Sequence, residues 1–145
     1  MRIPMKVDYA VRALIELADT YGGRTKQSAD IAERWNIPAP YLDQLLTALR
    51  KAGLVASVRG PQGGHSLARH ATGITVREVF EALEGPLQPI DCLEENPRCS
   101  FSRSCAIQDL WSEVQTTVTN LLDSVTIADL AGKQAALSRP AMYYI

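Results

Sequence analysis

Residues 38–69 read PAPYLDQLLTALRKAGLVASVRGPQGGHSLAR, and the punctuation of this stretch decides the fold. Tyr41, Leu42, Leu45, Leu46, Ala48 and Leu49 recur at the three- and four-residue spacing of one helical face. Pro40 suits the first turn of that helix, where its missing N–H is not needed, and Gly53 suits a cap just past Lys51. Leu54-Val55-Ala56-Ser57-Val58 then predicts a short strand, with His65-Ser66-Leu67-Ala68-Arg69 as its return. Between them lies Arg59-Gly60-Pro61-Gln62-Gly63-Gly64. A glycine-rich tip of this kind lets the backbone approach another backbone closely, and the arginine adds a charge with five donors.

Working upstream, Gln27–Trp35 predicts a short helix with Ile31 and Ala32 inward, followed by a tight turn at Asn36 and Ile37. Two short helices across a tight turn form a helix-turn-helix, whose second helix puts its N-terminal part into the major groove. The candidates there are Ala39, Tyr41, Asp43 and Gln44, with Ser28 at the start of the preceding helix. Glutamine pairs with adenine edges and an acidic side chain accepts from cytosine N4, so Asp43 and Gln44 are candidate base readers. Taken alone, they would serve equally as the wet face of a core helix. The hairpin that follows decides for a winged helix, whose wing contacts the neighbouring groove or phosphates. Its candidate contacts are Arg59, Gly60, Pro61, Gln62, Gly63, Gly64 and His65. Further upstream, Val7, Ala10, Val11, Leu14, Leu17, Ala18 and Tyr21 predict a core helix over Lys6–Tyr21, ended by Gly22 and Gly23.

Downstream, Thr75-Val76-Arg77-Glu78 matches a capping box, so a fourth helix is predicted from about Val76 to Leu83. Gly85, Pro86 and Pro89 stop it and lead to a polar stretch, Ile90–Cys105, without apolar periodicity. From Ala106 to Val125 the residues Ile107, Leu110, Trp111, Val114, Val118, Leu121, Leu122 and Val125 draw a long apolar stripe. A helix so long and apolar on a small head packs on its twin, on its own head, or on both. Thr126–Leu130 resembles a short capped turn or helix, and Ala131–Pro140 is too weakly periodic to assign. The expected fold is mainly α with a small β-hairpin wing. It divides into a reading head (1–85), a cysteine loop (86–105), and a dimerisation helix with its C-terminal tail (106–145), all within one compact domain.

Composition bounds the function. At 145 residues, 46% hydrophobic and 21% charged, the chain is an ordinary soluble domain, with no apolar run near the ~20 residues a membrane helix needs. No signal-peptide pattern opens it, so a cytoplasmic location is expected. The net charge of −1 would argue against a polyanion partner, but the distribution reverses that. Arg50, Lys51, Arg59 and Arg69 have no acid among them over residues 50–69. From Pro86 onward Asp91, Glu94, Glu95, Asp109, Glu113, Asp123 and Asp129 outnumber Arg98, Arg103, Lys133 and Arg139. A local basic patch matters more for a nucleic acid than the total. The alternative that suits the modest net charge is a winged-helix protein-interaction module without DNA binding, which would lack the steep fall of affinity with salt that phosphate contacts give. No catalytic constellation and no phosphate-binding motif stands outside the head, which speaks against an enzyme.

All three cysteines, Cys92, Cys99 and Cys105, lie in the polar loop, with six and then five residues between them. Thiolates are soft ligands that select iron–sulfur clusters, zinc or copper(I). The spacing lacks the close pairs common at zinc sites. Composition alone leaves a cluster, zinc and plain thiol sensing open.

YAVRALIELA in the first helix, residues 38–69 and the cysteine loop together resemble the Rrf-type (IscR-, NsrR- and CymR-like) winged-helix transcription factors of bacteria. The resemblance spans nearly the whole chain, and the tail Ala141–Ile145 is similar to that of CymR-like members. It implies a homodimer on a pseudo-palindromic DNA operator, with Asp43 and Gln44 among the base readers and Arg59 entering the minor groove. It also implies an iron–sulfur cluster on Cys92, Cys99 and Cys105. IscR-like members add a histidine three residues after the last cysteine, where this chain has Gln108. NsrR-like members with a four-iron cluster take a carboxylate from the first helix of the other subunit, a position held here by Asp8. The resemblance therefore favours a four-iron over a two-iron cluster. His65 and Asp43 depart from the usual Tyr and Glu, which bears on the operator sequence preferred.

Overall fold

A computed structural model of the protein describes residues 1–93, 100–101 and 104–140; Cys99 and the tail Ala141–Ile145 lie outside them. The described residues form α1 (Met5–Glu16), α2 (Ser28–Trp35), α3 (Ala39–Lys51), the hairpin β1 (Val55–Val58) and β2 (Gly64–Leu67), α4 (Val76–Glu84), α5 (Ala106–Ser124) and α6 (Ile127–Leu137). Short 3-10 turns at Ala71–Gly73 and Asp91–Leu93 complete the order.

The helix-turn-helix forms where glycine and asparagine chemistry predicts it. Asn36 adopts a left-handed conformation (φ 51°), and the Ile37 N–H reaches back to the Ala32 carbonyl at 2.9 Å. Asparagine tolerates this conformation, and the bond satisfies a carbonyl that α2 leaves open. Gly53 (φ 77°) ends α3 in the same way. Its N–H donates to Arg50 and that of Leu54 to Leu49, both at 3.0 Å. The apolar sides of α1, α2 and α3 meet in one core with Ala10, Ala13, Leu14, Leu17, Ile31, Leu42, Leu46 and Leu49 at its centre.

α1 is shorter than its apolar stripe suggests. It stops at Glu16, capped by Leu17, and Gly22 and Gly23 lie beyond it in the following turn. Thr20 is responsible: it is fully buried, its hydroxyl donates to the Leu17 carbonyl (2.6 Å), and it accepts the Leu67 N–H of β2 (2.9 Å). A buried hydroxyl that can bond to nearby backbone competes with helix propagation. Tyr21 is consequently not on a core stripe; it is exposed, with its ring edge-on to His70.

The wing is an antiparallel pair, Val55 opposite Leu67 and Ser57 opposite His65. Its outer edge is not bare. Lys26 bridges to His65, donating at 2.9 Å and accepting at 2.8 Å, so the segment before α2 acts as a one-residue third strand. The return strand begins one residue earlier than its sequence pattern, at Gly64, and ends at Leu67.

The capping box of α4 is present, with Thr75 and Glu78 each bonding the other's backbone. A second box, Thr126 with Asp129, opens α6. The two N-termini are stitched together by Val76 N–H to Val125 and Ile127 N–H to Ile74, both 2.9 Å. That stitch turns the chain back after α5, buries Ile127 completely and lays α6 on α1. The sequence shows only a short capped turn or helix over Thr126–Leu130, because Ala131, Gly132, Ala135 and Ala136 carry little periodicity; packing, not propensity, extends this helix to Leu137. α5 touches α4 but contains no buried residue, and Ile107, Leu110 and Leu121 remain exposed. Among the described residues no helix is long and apolar enough to cross a membrane.

Candidate nucleic-acid interface and cysteine loop

The N-terminal half of α3 presents Ala39, Asp43 and Gln44 as exposed residues. Tyr41 is half-buried, with its ring edge-on to Tyr9 at 5.8 Å, and Tyr9 in turn carries the Arg12 guanidinium over its face at 5.6 Å. Tyr41 therefore fixes α3 against α1. Ser28 opens α2 and is half-buried.

At the wing, Arg59, Gly60, Pro61 and Gln62 form the exposed tip. The two glycines behind it are there for packing. A Cβ on Gly63 would stand 2.0 Å from the Val58 carbonyl oxygen, and one on Gly64 would stand 2.6 Å from that of Lys26. Sequence reasoning missed the braces of this tip. The Gln27 amide donates to the Gly63 carbonyl, and the Thr25 hydroxyl lies 3.4 Å from the carbonyls of Gln62 and Gly63. Neither residue belongs to a periodic pattern, so nothing in the sequence flags it. Glu16 likewise stands outside the apolar stripe of the first helix. Its carboxylate in fact collects Lys26 Nζ (3.3 Å), Arg34 Nε (2.9 Å) and Trp35 Nε1 (2.9 Å), fixing α1 to α2.

The basic patch survives folding except at one end, where Arg69 pairs with Glu78 at 2.8 Å. Among the described residues Arg50, Lys51 and Arg59 make no ion pair. Cations left unpaired beside exposed polar side chains are what a phosphate backbone requires.

At the other end of the chain's logic, Cys92 lies in the Asp91–Leu93 turn and Cys105 caps the N-terminus of α5; both are half-buried and not disulfide-bonded. The Gln108 amide nitrogen donates to the Cys92 carbonyl at 3.1 Å, fastening the turn to α5. That bond brings the two ends of the cysteine loop together. Asp8 stands in the first turn of α1, half-exposed, and pairs with Arg12 at 2.8 Å. Among the described residues no three His, Cys, Asp or Glu side chains converge on a point fit for a metal. Two soft thiols at the loop's ends fit a thiophilic centre, with Cys99 between them in sequence.

Residues 3–133 match the family model Rrf2, described as an iron-dependent transcriptional regulator. The chain belongs to the Rrf2 family. Over 145 residues it is 35% identical to the HTH-type transcriptional regulator CymR of Bacillus subtilis, covering 100% of both chains. It is 36% identical to Escherichia coli IscR over 137 residues, 94% of this chain and 84% of that protein. The solved structure of T. potens IscR superimposes with a TM-score of 0.76 at 35% identity, over 99% of this chain and 97% of that one. As an Rrf2 protein it is a winged-helix, DNA-binding transcriptional regulator and not an enzyme.

Proposed function

We propose that this Rrf2 protein is a homodimeric repressor whose affinity for a pseudo-palindromic operator is set by an iron–sulfur cluster in its cysteine loop. The observation that carries the operator reading is the pairing of an exposed α3 N-terminus with an exposed wing tip bearing Arg59, together with Arg50 and Lys51, which make no ion pair among the described residues. Asp43 and Gln44 would read base edges, Arg59 would enter the adjacent minor groove, and Gly60, Pro61 and Gln62 would lie along the backbone. α5 supports the dimer: a helix of 19 residues with no buried residue and exposed Ile107, Leu110 and Leu121 presents a face for its twin.

Cys92, Cys99 and Cys105 would hold the cluster, with Asp8 of the partner subunit as fourth ligand. Gln108, which stands where two-iron members have histidine, is a poor iron ligand and is already engaged with the Cys92 carbonyl, which favours the four-iron form. Bound there, the group would supply a centre that reacts with oxygen or nitric oxide and is lost under iron shortage. The chain's own part is mechanical. The Gln108 bond ties the cysteine turn to α5, and the Val125–Val76 and Ile127–Ile74 bonds tie the far end of α5 to α4 and the core. A change at the loop would thus alter how the two heads are spaced, and half-sites about one helical turn (~34 Å) apart tolerate little change.

The Asp8–Arg12 ion pair, which already employs the fourth ligand, favours a second reading in which the cysteines act as thiol or zinc sensors on the same DNA-binding protein. Oxygen-free operator titrations of wild type and Cys99→Ala test the sensing. The cluster reading expects different affinities; identical curves in every redox and iron state would remove it.

A further inference from the structure

The wing tip is held through Gly63. This residue is buried, although Arg59, Gly60, Pro61 and Gln62 before it are exposed. Its N–H donates to the Gly60 carbonyl at 2.9 Å, closing the turn that begins one residue beyond Arg59. Its own carbonyl accepts the Gln27 side-chain amide, with the Thr25 hydroxyl at 3.4 Å as a longer second donor. Gly64 presses on the same segment, since a Cβ there would stand 2.6 Å from the Lys26 carbonyl oxygen and 3.3 Å from the Thr25 Cβ.

The segment that holds the tip is itself anchored. Lys26 exchanges backbone bonds with His65 in both directions, and its ammonium donates to the Glu16 carbonyl at 2.7 Å. The Glu16 carboxylate in turn accepts from Arg34 and Trp35 of α2. Residues 25–27 are therefore fixed to α1, and through it to α2, independently of the tip. Gln27 is also the N-cap residue of α2, a position whose side chain ordinarily bonds the helix's own free N–H groups. It makes no such bond. Its amide serves the wing instead of the helix.

We propose that Gln27 is a positioning residue for the wing contact: by holding the Gly63 carbonyl it fixes the turn from Gly60 to Gly63 in the free protein, so that Arg59 meets the groove from one place. This inference rests on the α3-and-wing interface proposed above. A tip without that restraint has to be ordered as DNA binds, and the ordering cost is subtracted from affinity. Sequence preference follows from the same restraint. Minor grooves differ between sequences chiefly in width and in the potential that goes with it. A cation held at a fixed place discriminates among them, whereas one on a loose loop follows the phosphates of any of them. Gln27 thus acts on affinity and on the sequence preferred beneath the wing, and leaves base reading by α3 alone.

The test uses the full-length protein and a fluorescein-labelled duplex carrying the site it selects from a randomised DNA pool, with affinity read by anisotropy at constant ionic strength. Gln27→Met keeps the length of the side chain and removes its donor. Operator affinity should weaken by about three- to tenfold. In an Arg59→Ala background the same substitution should change affinity by less than about twofold, because the residue it positions is gone. Sites selected afresh by Gln27→Met should lose preference at the base pairs under the wing and keep it at those under α3, a split that a general loss of stability would not produce. As a second readout, NMR relaxation of the free protein should show the order parameters of the Gly60 and Gly63 amides falling in Gln27→Met while those of α3 stay. Wild-type affinity in Gln27→Met, or order parameters unmoved at Gly60 and Gly63, would overturn the inference while leaving the interface standing. So would losses that simply add in the double variant, which would make Gln27 a direct DNA contact. Arg59→Ala binding as tightly as wild type, or no duplex selected at all, would remove the wing interface and this inference with it.

Discussion

Thr20→Val is the substitution whose effect follows most completely from the geometry. Thr20 is fully buried and joins two parts of the head: its hydroxyl donates to Leu17 at the end of α1 and accepts the Leu67 N–H of β2. Valine has nearly the same shape, so no cavity opens. The Leu17 carbonyl keeps the Thr20 backbone N–H, at 3.0 Å, as a partner. The Leu67 N–H does not recover. It points along the same edge of β2 as the His65 N–H, away from β1, toward a region from which water is excluded; Leu67 itself is 2% exposed. Leaving a buried donor unmatched costs about 1–3 kcal/mol. The expected result is an unfolding free energy lowered by that amount, read as a lower urea midpoint with an unchanged slope, because the surface exposed on unfolding is the same. Thr20→Ser, which keeps the hydroxyl, should lose only the methyl contribution, about 1 kcal/mol. The wing should also loosen, so operator affinity should fall while the cysteines behave as in wild type. A Thr20→Val protein as stable as wild type would mean that Leu67 finds another partner and that the α1–wing joint is not as described.

Arg59→Ala should weaken operator binding by about 1–3 kcal/mol, as expected for a groove contact, and an unchanged titration would remove the wing from the readout. Gly63→Ala places a methyl 2.0 Å from the Val58 carbonyl, so the hairpin must open; the thermal midpoint and DNA affinity should both fall, and undisturbed stability and binding would contradict the tight tip. Thr75→Ala removes the cap of α4 and should lower stability by about 1 kcal/mol in urea. Partial burial pushes the Glu78 carboxyl up, but bonds from the Thr75 N–H and the Arg69 guanidinium outweigh it and hold the group below its ordinary value. Its contribution is thus complete above the usual glutamate range and fades as pH falls through the lowered folded value. Glu78→Gln should remove that part of the acid sensitivity, and an unaltered acid profile would count against it.

The reading head was legible in the sequence because its signals are local. Asn36, Pro40 and Gly53 punctuate, the leucines of α3 repeat, and Thr75 with Glu78 forms a box. What escaped is non-local. α1 ends early because of a hydroxyl bonded to Leu67, 47 positions away. α6 exists because Ile127 and Val125 are stitched to the start of α4, which no periodicity in an alanine-rich stretch can announce. The site shows the same division. Exposure of Asp43, Gln44 and Arg59 followed from pattern, whereas the bracing of the wing by Thr25, Lys26 and Gln27 follows only from the fold. The three cysteines stand out in the sequence by their chemistry, but the link from Gln108 to Cys92 that joins their loop to α5 follows only from the fold.

Whether the loop carries a cluster is decided by the visible absorption spectrum of protein purified without oxygen, with iron and acid-labile sulfide assayed on the same sample. The proposed function expects brown protein with iron and sulfide in matching amounts near four per chain, and the loss of both in Cys99→Ala. Colourless protein lacking iron and sulfide after reconstitution under reducing conditions would contradict the cluster, and would leave the cysteines as thiol or zinc sensors on the same DNA-binding fold.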